Sequence, residues 1–394
     1  MAGCGEGGGE QTEEEAADVI ITIGNLTDKT GVASGPMSII DAALKDAVEY
    51  FNEENLIPGV TLDIIEYDER YEPTRDIPGY ESLVARGADF IWTPVPAAVP
   101  SLIERVNEDK YVLFAATANM DSSELEGGYV FSLGVSPEYQ AYTLLEWIAE
   151  NHKDFPQDRP ARIGGAAWQD AYSNVWFAAA KDYARANPDK YVWEADFLTE
   201  FKFNWSAEIE SLKDCDYVYF PIPPQFFVDD FRNTAGSDAT LIGTEVHLAF
   251  MGVIEHNDLW NELDGSIFIN GSRWYHERGP MIDLINQWLE EKHSPSQAEM
   301  FREEGITYLS ARTVYMMLDI VREAVEKVGP QNFNSEALYE AAVSWNYEKE
   351  GIEDFCSFSE TNRMAQEYYA IYEAVSDAKT LNRVSDWIYQ VMEP

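Results

Sequence analysis

The chain has few cysteines, few histidines and few basic residues for its length, and it lacks long apolar runs. Its 394 residues include 3 cysteines, 5 histidines and 27 lysines and arginines against 71 acidic residues, a formal net charge of −44. Such an acidic chain repels nucleic acids, whose binding depends on lysine and arginine, and it is poorly suited to anionic membrane surfaces. After residue 18 no apolar run approaches the ~20 residues needed to cross a bilayer. The body of the protein is therefore predicted to be soluble.

The signatures of common enzymes and metal sites are also missing. There is no G-x-x-x-x-G-K-[ST] phosphate loop, no G-x-S-x-G nucleophile turn and no H-E-x-x-H zinc motif. The histidines do not have metal-ligand spacing with the cysteines, and carboxylates are too abundant for a catalytic acid pair to be recognised. We therefore predict no catalytic residue, no metal ligand and no cofactor.

The N-terminal segment, residues 1–17, is predicted to be a disordered tether. After Cys4 it consists mainly of glycine and glutamate, which offer too little apolar surface to pack. The triplet Ala2-Gly3-Cys4 resembles the end of a bacterial lipoprotein processing site, and Met1 stands in place of the signal peptide. We expect Cys4 to be lipidated; the alternative is an ordinary thiol in a disordered tail.

The other cysteines give no firm disulfide. If Cys4 is lipidated, Cys215 and Cys356 are left, and an oxidising compartment would permit them to pair. Their separation in sequence says nothing about their distance in space. Two separate buried thiols are the slightly favoured interpretation.

Predicted strands and helices alternate along the rest of the chain with short polar connections. Apolar runs predict strand–helix repeats from Val19 to Thr117, and a second series opens at Tyr129–Gly134 and continues to Glu245. This order is typical of an α/β protein with two doubly wound parallel sheets. Ligands gather at the carboxyl ends of such strands, so we expect the site in a cleft between two lobes joined by a multi-segment hinge.

The same pattern divides the chain into a tether and two lobes. Both series are complete before the last elements of the chain, so those elements have to be shared between the lobes. The predicted division, with approximate boundaries, is a tether at 1–17, lobe I at 18–135 plus 250–362, and lobe II at 136–249 plus 363–394.

Polar and aromatic side chains directly follow several predicted strands. Ala115–Thr117 closes one strand, where a hydroxyl and free amides would hold a small anion or carboxylate. Trp168 and Tyr172 lie between a strand and a helix, and Glu245 would place a carboxylate at the cleft. Each of these residues has an alternative role in a turn or in the core. Their shared placement after strands favours a binding site.

Several short segments, taken in order, resemble the type I solute-binding proteins of ABC importers, specifically the branched-chain amino-acid-binding group. No single segment is specific, but their order and spacing are, and the resemblance extends from about Val19 to Glu373. The segments that carry it are Ile23–Thr27, Phe51–Glu53, Ile57–Gly59, Leu62–Ile65, Tyr67-Asp68, Ala115–Ala118, Asp170–Ser173, Gly243–Glu245, Arg312–Glu326 and Phe358-Ser359.

The resemblance implies a role for each lobe in holding a small ligand. Ala115 and Thr117 would contact the carboxylate and amino group of the ligand from one lobe. Tyr172 would cover the ligand from the other lobe, and Glu245 would pair with its ammonium group through a charge-assisted hydrogen bond. Closure of the lobes would exclude water from the ligand.

The chain departs from the family where a serine hydroxyl is usual, because Pro94 offers neither a hydroxyl nor an N–H. Either Thr93 takes the place of that serine, or the head group of the ligand differs. Trp168, Phe226 and Trp274 would make the pocket bulkier and more aromatic than one for leucine, unless they belong to the core. The complete set of predicted ligand-binding residues is Thr27, Thr93, Ala115, Ala116, Thr117, Trp168, Tyr172, Phe226, Glu245 and Trp274.

By this resemblance the protein captures an amino acid or a related amine-bearing molecule and delivers it to an ABC permease. It would be a monomer outside the cytoplasm, attached to the membrane only through Cys4, that binds no nucleic acid. Two alternatives remain open. One is a ligand-sensing domain for a receptor or regulator, and the less favoured one is a surface hydrolase, for which no nucleophile–base pair is evident.

Overall fold

The computed structural model describes residues 19–118, 120, 122–200, 202–349 and 352–394. The predicted tether and Cys4 lie outside the described residues. The strands are β1 (Val19–Thr27), β2 (Val60–Asp68), β3 (Phe90–Thr93), β4 (Leu113–Ala115), β5 (Val130–Ser132), β6 (Ala161–Trp168), β7 (Tyr191–Thr199), β8 (Tyr217–Tyr219), β9 (Thr240–Gly243), β10 (Ile267–Asn270), β11 (Asn346–Lys349), β12 (Ile352–Ser357), β13 (Tyr368–Val375), β14 (Thr380–Arg383) and β15 (Ile388–Tyr389). The α-helices are α1 (Ser34–Glu53), α2 (Asp76–Ala85), α3 (Ala98–Asp109), α4 (Pro137–Asn151), α5 (Ala171–Ala186), α6 (Ser206–Leu212), α7 (Glu245–Leu248), α8 (Met251–His256), α9 (Trp260–Leu263), α10 (Pro280–Lys292), α11 (Pro295–Glu303), α12 (Ile306–Leu309), α13 (Ala311–Val328) and α14 (Ser335–Val343). Within the described ranges, none of these helices is both long and apolar enough to span a membrane.

The first sheet is parallel and has the strand order β2-β1-β3-β4-β5. β1 pairs with β2 along its whole length, and β3 and β4 are buried at every residue. Helices α1, α2 and α3 connect the strands of this sheet. Parallel strands covered on both faces are continuous apolar runs in the sequence, which explains why the pattern predicted these strands well.

The second sheet has the order β14-β13-β10-β9-β8-β6-β7, and β15 pairs with β13. Five of its strands, β7, β6, β8, β9 and β10, are parallel to one another, whereas β13 runs antiparallel to β10 and β14. β8 ends at Tyr219, since Pro221 and Pro223 shortly after it have no N–H to donate to a ladder. The predicted fold class, two lobes built on parallel sheets, is confirmed, and the C-terminal strands add an antiparallel edge.

The chain passes between the two lobes three times, after β5, after β10 and after β12. We interpreted Tyr129–Gly134 as the opening of the second series, although the predicted division kept it in lobe I; it forms β5, which pairs with β4 in the first sheet. We also placed the return to lobe I near residue 250. Because β10 pairs with both β9 and β13, the return follows Asn270 instead.

The third crossing segment is hydrogen-bonded to Ser132, the last residue of β5, where the first crossing segment begins. The backbone N–H of Ser132 donates to the carbonyl oxygen of Arg363 at 2.8 Å, and the N–H of Ala365 donates to the carbonyl oxygen of Ser132 at 2.8 Å. The buried guanidinium of Arg363 also donates to the carbonyl oxygen of Gly128 at 2.8 Å. These two parts of the hinge are therefore held together as a pair.

Helices α10 to α14 pack on the first lobe, where α13 lies against α1. A buried polar cluster joins α1 to this layer through Asp46. Its carboxylate accepts a hydrogen bond from the hydroxyl of Tyr308 at 2.6 Å and lies 2.6 Å from Nε2 of His293. Buried polar groups are stable in a core only when they are paired in this way, so the cluster fixes how the layer docks.

Candidate ligand-binding cleft

Groups from the two lobes approach each other where the parallel strands end. Tyr71 follows β2 in the first sheet, and Asp170 follows β6 in the second. Burial, together with the nearby carboxylates of Asp170 and Glu69, raises the pKa of Tyr71 to about 12. The carboxyl ends of the two sheets therefore face a common cleft, which is where open parallel sheets bind ligands.

Glu245 is the acidic group that stands out at the carboxyl end of the second sheet. It is the first residue of α7, directly after Thr244 at the end of β9. Its side chain is half-buried, and burial raises its pKa to about 7, an effect that the positive charge of Arg312 reduces. Within the described part of the chain, no hydrogen bond or ion pair engages this carboxylate. It is thus placed to accept a hydrogen bond from a ligand.

Tyr172 lies in α5 and belongs to a buried polar network at the base of the second lobe. Its hydroxyl donates to Oε1 of Gln140 at 2.6 Å and is also hydrogen-bonded to Oγ1 of Thr244 at 2.9 Å. Next to Thr244, Nε2 of His247 lies 2.8 Å from the carbonyl oxygen of Phe220. Burial lowers the pKa of His247 to about 4, so this imidazole is neutral. The network fixes the start of α7 and with it Glu245.

The hydroxyl groups predicted to bind the ligand from the first lobe are bonded within the protein. Thr27 is the last residue of β1, and its Oγ1 donates to the carboxylate of Asp41 at 3.0 Å. Oγ1 of Thr93, at the end of β3, donates to the carbonyl oxygen of Leu26 at 2.8 Å and accepts from the N–H of Val95 at 3.1 Å. Both threonines are fully buried. Their hydrogen bonds hold in place the turns that follow β1 and β3 at the carboxyl edge of the first sheet.

Polar groups in the loop after β4 also form hydrogen bonds within the protein. The N–H of Ala116 donates to the carbonyl oxygen of Thr93 at 3.0 Å, and the carbonyl oxygen of Ala115 accepts from Leu133. The hydroxyl of Thr117 donates to the carbonyl oxygen of Val135 at 2.9 Å. We expected a hydroxyl and free amides here for an anion, but the hydroxyl of Thr117 and the amide of Ala116 instead fasten the loop to the first crossing segment and to β3.

The three predicted aromatic residues differ in their surroundings. Trp168, at the end of β6, and Phe226 are half-buried, and the ring of Phe226 meets the exposed ring of Phe203 edge-to-face at 4.9 Å. Trp274 is buried in the second crossing segment, where its backbone N–H donates to Glu277 at 2.7 Å. Trp168 and Phe226 thus expose part of their surface, whereas Trp274 packs into the hinge.

Sequence reasoning missed three groups that shape this region. Gln140 and Asp41 are polar residues on helices whose partners are distant in sequence, and no short motif reveals them. Arg312 is the second residue of α13 and is buried there.

Other polar clusters lie away from the cleft or lack the geometry for a metal. Among the described residues, no group of three or more His, Cys, Asp or Glu side chains is placed to hold a metal ion. A cavity of about 630 Å³ opens on the second lobe between α4 and the C-terminal strands, and its lining includes Glu146, Glu150 and Glu373. That groove is separate from the strand ends where Glu245 and Asp170 lie.

Comparison with known proteins gives one family match. The family described as "Periplasmic binding protein" matches residues 20–379. No curated protein matches the chain.

Solved structures share the fold at low sequence identity. A branched-chain amino acid ABC transporter protein from Thermus thermophilus with bound valine has a TM-score of 0.78 at 17% identity, covering 95% of this chain and 97% of that one. A solute-binding protein from Rhodopseudomonas palustris in complex with p-hydroxybenzoic acid has a TM-score of 0.75 at 14% identity, with coverages of 94% and 97%. A fatty acid ABC transporter substrate-binding protein from Thermomonospora curvata has a TM-score of 0.74 at 15% identity, with coverages of 95% and 93%.

Proposed function

The chain belongs to the periplasmic binding protein family, and from this we propose that it captures an amino acid or a related amine-bearing molecule in the interlobe cleft and delivers it to an ABC importer. The observation that carries the proposal is the carboxylate of Glu245. It is half-buried, burial raises its pKa to about 7, and no described residue pairs with it. A ligand ammonium group would supply the missing partner through a charge-assisted hydrogen bond.

The other predicted contacts support this proposal in different ways. Trp168 and Phe226 offer half-buried aromatic surface for the ligand's side chain. Ala115–Thr117 would approach the ligand with backbone atoms, because the hydroxyl of Thr117 and the amide of Ala116 are already engaged. Solved structures with this fold hold valine or p-hydroxybenzoic acid, and a third is named as the substrate-binding protein of a fatty acid transporter. A ligand that carries an amine is therefore the feature that our proposal adds.

A thermal-shift screen over amino acids, amines, amides and aromatic acids tests the ligand class. A ligand that binds only the folded state stabilises it by RT ln(1 + [L]/Kd), about 2.7 kcal/mol at a hundredfold excess over Kd. We expect amine-bearing compounds to stabilise the protein and Glu245→Gln to abolish that shift. Glu323→Gln is the matched control, because Glu323 is also half-buried, its pKa is raised by burial, and it lies on α13.

Two results would count against the proposal. Stabilisation by amine-free acids alone would remove the role of Glu245, and an equal loss of binding in Glu323→Gln would show that the effect is not local. Neither result would affect the assignment of the chain to its family, since that assignment depends on the match over residues 20–379.

We further propose that the protein works outside the cytoplasm and is held at the membrane by a lipid on Cys4, which keeps it near its permease. The support is the Ala2-Gly3-Cys4 triplet together with the family match. Labelling of cells with a radioactive fatty acid should mark the protein, and Cys4→Ser should remove the label and release the protein from membranes. Retention of Cys4→Ser on membranes would contradict the anchor.

A further inference from the structure

The hydrogen-bond donors in the loop after β1 are already bound to carboxylates of the protein. The backbone N–H groups of Gly31 and Ala33 both donate to the carboxylate of Asp28. The N–H of Lys29 donates to the carboxylate of Asp68 at 2.9 Å. A turn whose N–H groups converge is a usual site for an anion. In this loop the side chains of the protein occupy that site themselves.

The loop after β3 has also used its donors. Pro94 and Pro96 have no N–H. The N–H of Val95 donates to Oγ1 of Thr93 at 3.1 Å, and that hydroxyl donates to the carbonyl oxygen of Leu26 at 2.8 Å. In residues 93–96, all of which the structure describes, no loop donor is therefore left for the carboxylate of a ligand.

The helices that begin at the cleft in the second lobe are capped by groups of the protein. Asp170, directly before α5, accepts hydrogen bonds from the N–H of Ser173 at 2.8 Å and from its hydroxyl at 3.1 Å. At the start of α7, the N–H of Thr244 donates to Nδ1 of His247 at 3.0 Å. Helix N-termini attract anions, but here the caps take the positions that a ligand carboxylate would need.

Carboxylates from both lobes face the cleft. Burial raises the pKa of Tyr71 to about 12, and three nearby carboxylates add to this effect, those of Asp170, Glu69 and Asp28. Two of these residues belong to the first lobe and Asp170 to the second. Glu245 adds a fourth carboxylate, from the start of α7. The cleft therefore lies in a negative electrostatic field.

The cationic side chains of this region are already paired. In the loops directly after β1 and β2, Nζ of Lys29 lies 2.5 Å from the carboxylate of Glu66, and Nε of Arg70 lies 3.5 Å from that of Asp68. The buried guanidinium of Arg312 is hydrogen-bonded within the hinge. The carboxylates thus set the sign of the field, which favours a cation and disfavours an anion.

We infer that the ligand is an organic amine that carries no carboxylate group. This rests on the proposed function, because it takes Glu245 as the partner of the ammonium group. It narrows the class, since an amino acid would bring a second, negative group against the carboxylates of the cleft. The backbone N–H of Thr117 has no partner among the described residues, and it can donate to a neutral oxygen of such a ligand.

Isothermal titration of the full chain with matched pairs of ligands tests this inference. The pairs are 3-methylbutylamine with leucine, phenethylamine with phenylalanine, and agmatine with arginine. The members of a pair share their side chain and differ in the carboxylate. At pH 8 Glu245 is charged, because its pKa is about 7. In the pair that binds most tightly, we expect the amine to bind at least about tenfold more tightly than the amino acid, since like charges repel.

The amide of the same amino acid separates charge from size. It keeps a substituent of similar size in place of the carboxylate but has no negative charge. We expect it to bind more tightly than the amino acid. An amide that binds as weakly as the amino acid would show that the cleft rejects the size of the group and not its charge, which would overturn the inference.

Asp170→Asn tests whether the charge of the cleft sets the preference. Asparagine caps a helix as well as aspartate does, so α5 keeps its N-cap while the cleft loses a negative charge. The preference for the amine should fall at least about twofold. Asp182→Asn is the matched control, because Asp182 lies on the same helix, roughly 18 Å further along its axis, and pairs with Arg185 at the surface.

The outcomes separate this inference from the function on which it rests. An amino acid that binds as tightly as its amine would overturn the inference, and the role of Glu245 would stand if Glu245→Gln still abolished binding. A preference that is unchanged in Asp170→Asn, or reduced equally in Asp182→Asn, would also overturn it. Binding of neither amines nor amino acids would contradict the proposed function itself, and the inference with it.

Discussion

The hydroxyl of Tyr172 donates to Oε1 of Gln140 at 2.6 Å, and both side chains are buried. This contact ties α5 to α4 at the base of the cleft. Because the same hydroxyl is bonded to Thr244 at 2.9 Å, it also reaches the residue before Glu245. The tyrosine that we predicted would cover the ligand is therefore, first of all, a support for the carboxylate that would bind it.

Tyr172→Phe should destabilise the protein by about 1–3 kcal/mol, the cost of leaving a buried polar atom such as Oε1 of Gln140 without its partner. Urea unfolding of the ligand-free protein measures this free energy. Tyr50→Phe is the control, because no hydrogen bond of the Tyr50 hydroxyl is seen within the described residues. An equal change in both variants would argue against the network.

Binding of an amine should weaken as the pH falls below 7. Burial raises the pKa of Glu245 from 4.5 to about 7, and only the charged form pairs with an ammonium group. Affinity should fall by up to about tenfold per pH unit below that pKa. Titration calorimetry from pH 5.5 to about 8 measures this slope, and Glu245→Gln should flatten it. A slope that persists in Glu245→Gln would assign the titration to another group.

The same shift predicts how the stability of the ligand-free protein depends on pH. Between pH 4.5 and about 7 the unfolded chain has released the proton that folded Glu245 still holds. The contribution of Glu245 to stability therefore decreases as the pH rises through this window. The difference in unfolding free energy between the wild type and Glu245→Gln should change with pH in that direction. A constant difference would contradict the shift.

Asp46→Ala should destabilise the protein by about 2–4 kcal/mol, because Tyr308 and His293 both lose a buried acceptor. Chemical denaturation measures the effect. Glu49→Ala removes a carboxylate one turn later on α1 that pairs with Lys292 at the surface, and it should cost less than about 1 kcal/mol. Similar losses in the two variants would mean that the buried cluster adds nothing to docking.

Gly305→Ala should be more destabilising than Gly236→Ala, although both glycines have a φ of +66°. A Cβ at Gly305 would clash with the carbonyl oxygen of Leu248 at the end of α7, whereas a Cβ at Gly236 meets no atom within 4 Å. Gly305 has a ψ of −124°, outside the left-handed helical region that other residues can adopt, so backbone strain adds to the clash in Gly305→Ala. We also expect Gly305→Ala to weaken amine binding, since α7 begins with Glu245.

The fold followed from the sequence because buried parallel strands are short apolar runs with helices between them. The strand–helix repeats predicted from Val19 to Thr117 correspond to β1 to β4 and the helices between them. The family that these segments resemble is also confirmed. The return after β10 was misplaced because a strand such as Ile267–Asn270 does not reveal which sheet it joins. Strand pairing is a long-range property that local periodicity does not contain.

The site was harder to predict because a side chain's hydrogen-bond partner decides whether it is available. Thr27 and Thr93 lie at strand ends, as expected, but the partner of Thr27 is Asp41, on the following helix, and that of Thr93 is the carbonyl oxygen of Leu26 on another strand. Glu245 was recognisable because a carboxylate directly after a strand is conspicuous. Its role in ligand binding remains a prediction.

The pairing of Ser132 with Arg363 and Ala365 has a mechanical consequence. If the segments that join the two lobes were independent of each other, the lobes could twist, shear and bend in any direction. Segments that are hydrogen-bonded side by side resist shear and twist, because either motion would break the hydrogen bonds between them. We therefore expect the lobes to open and close mainly by rotation about the hinge.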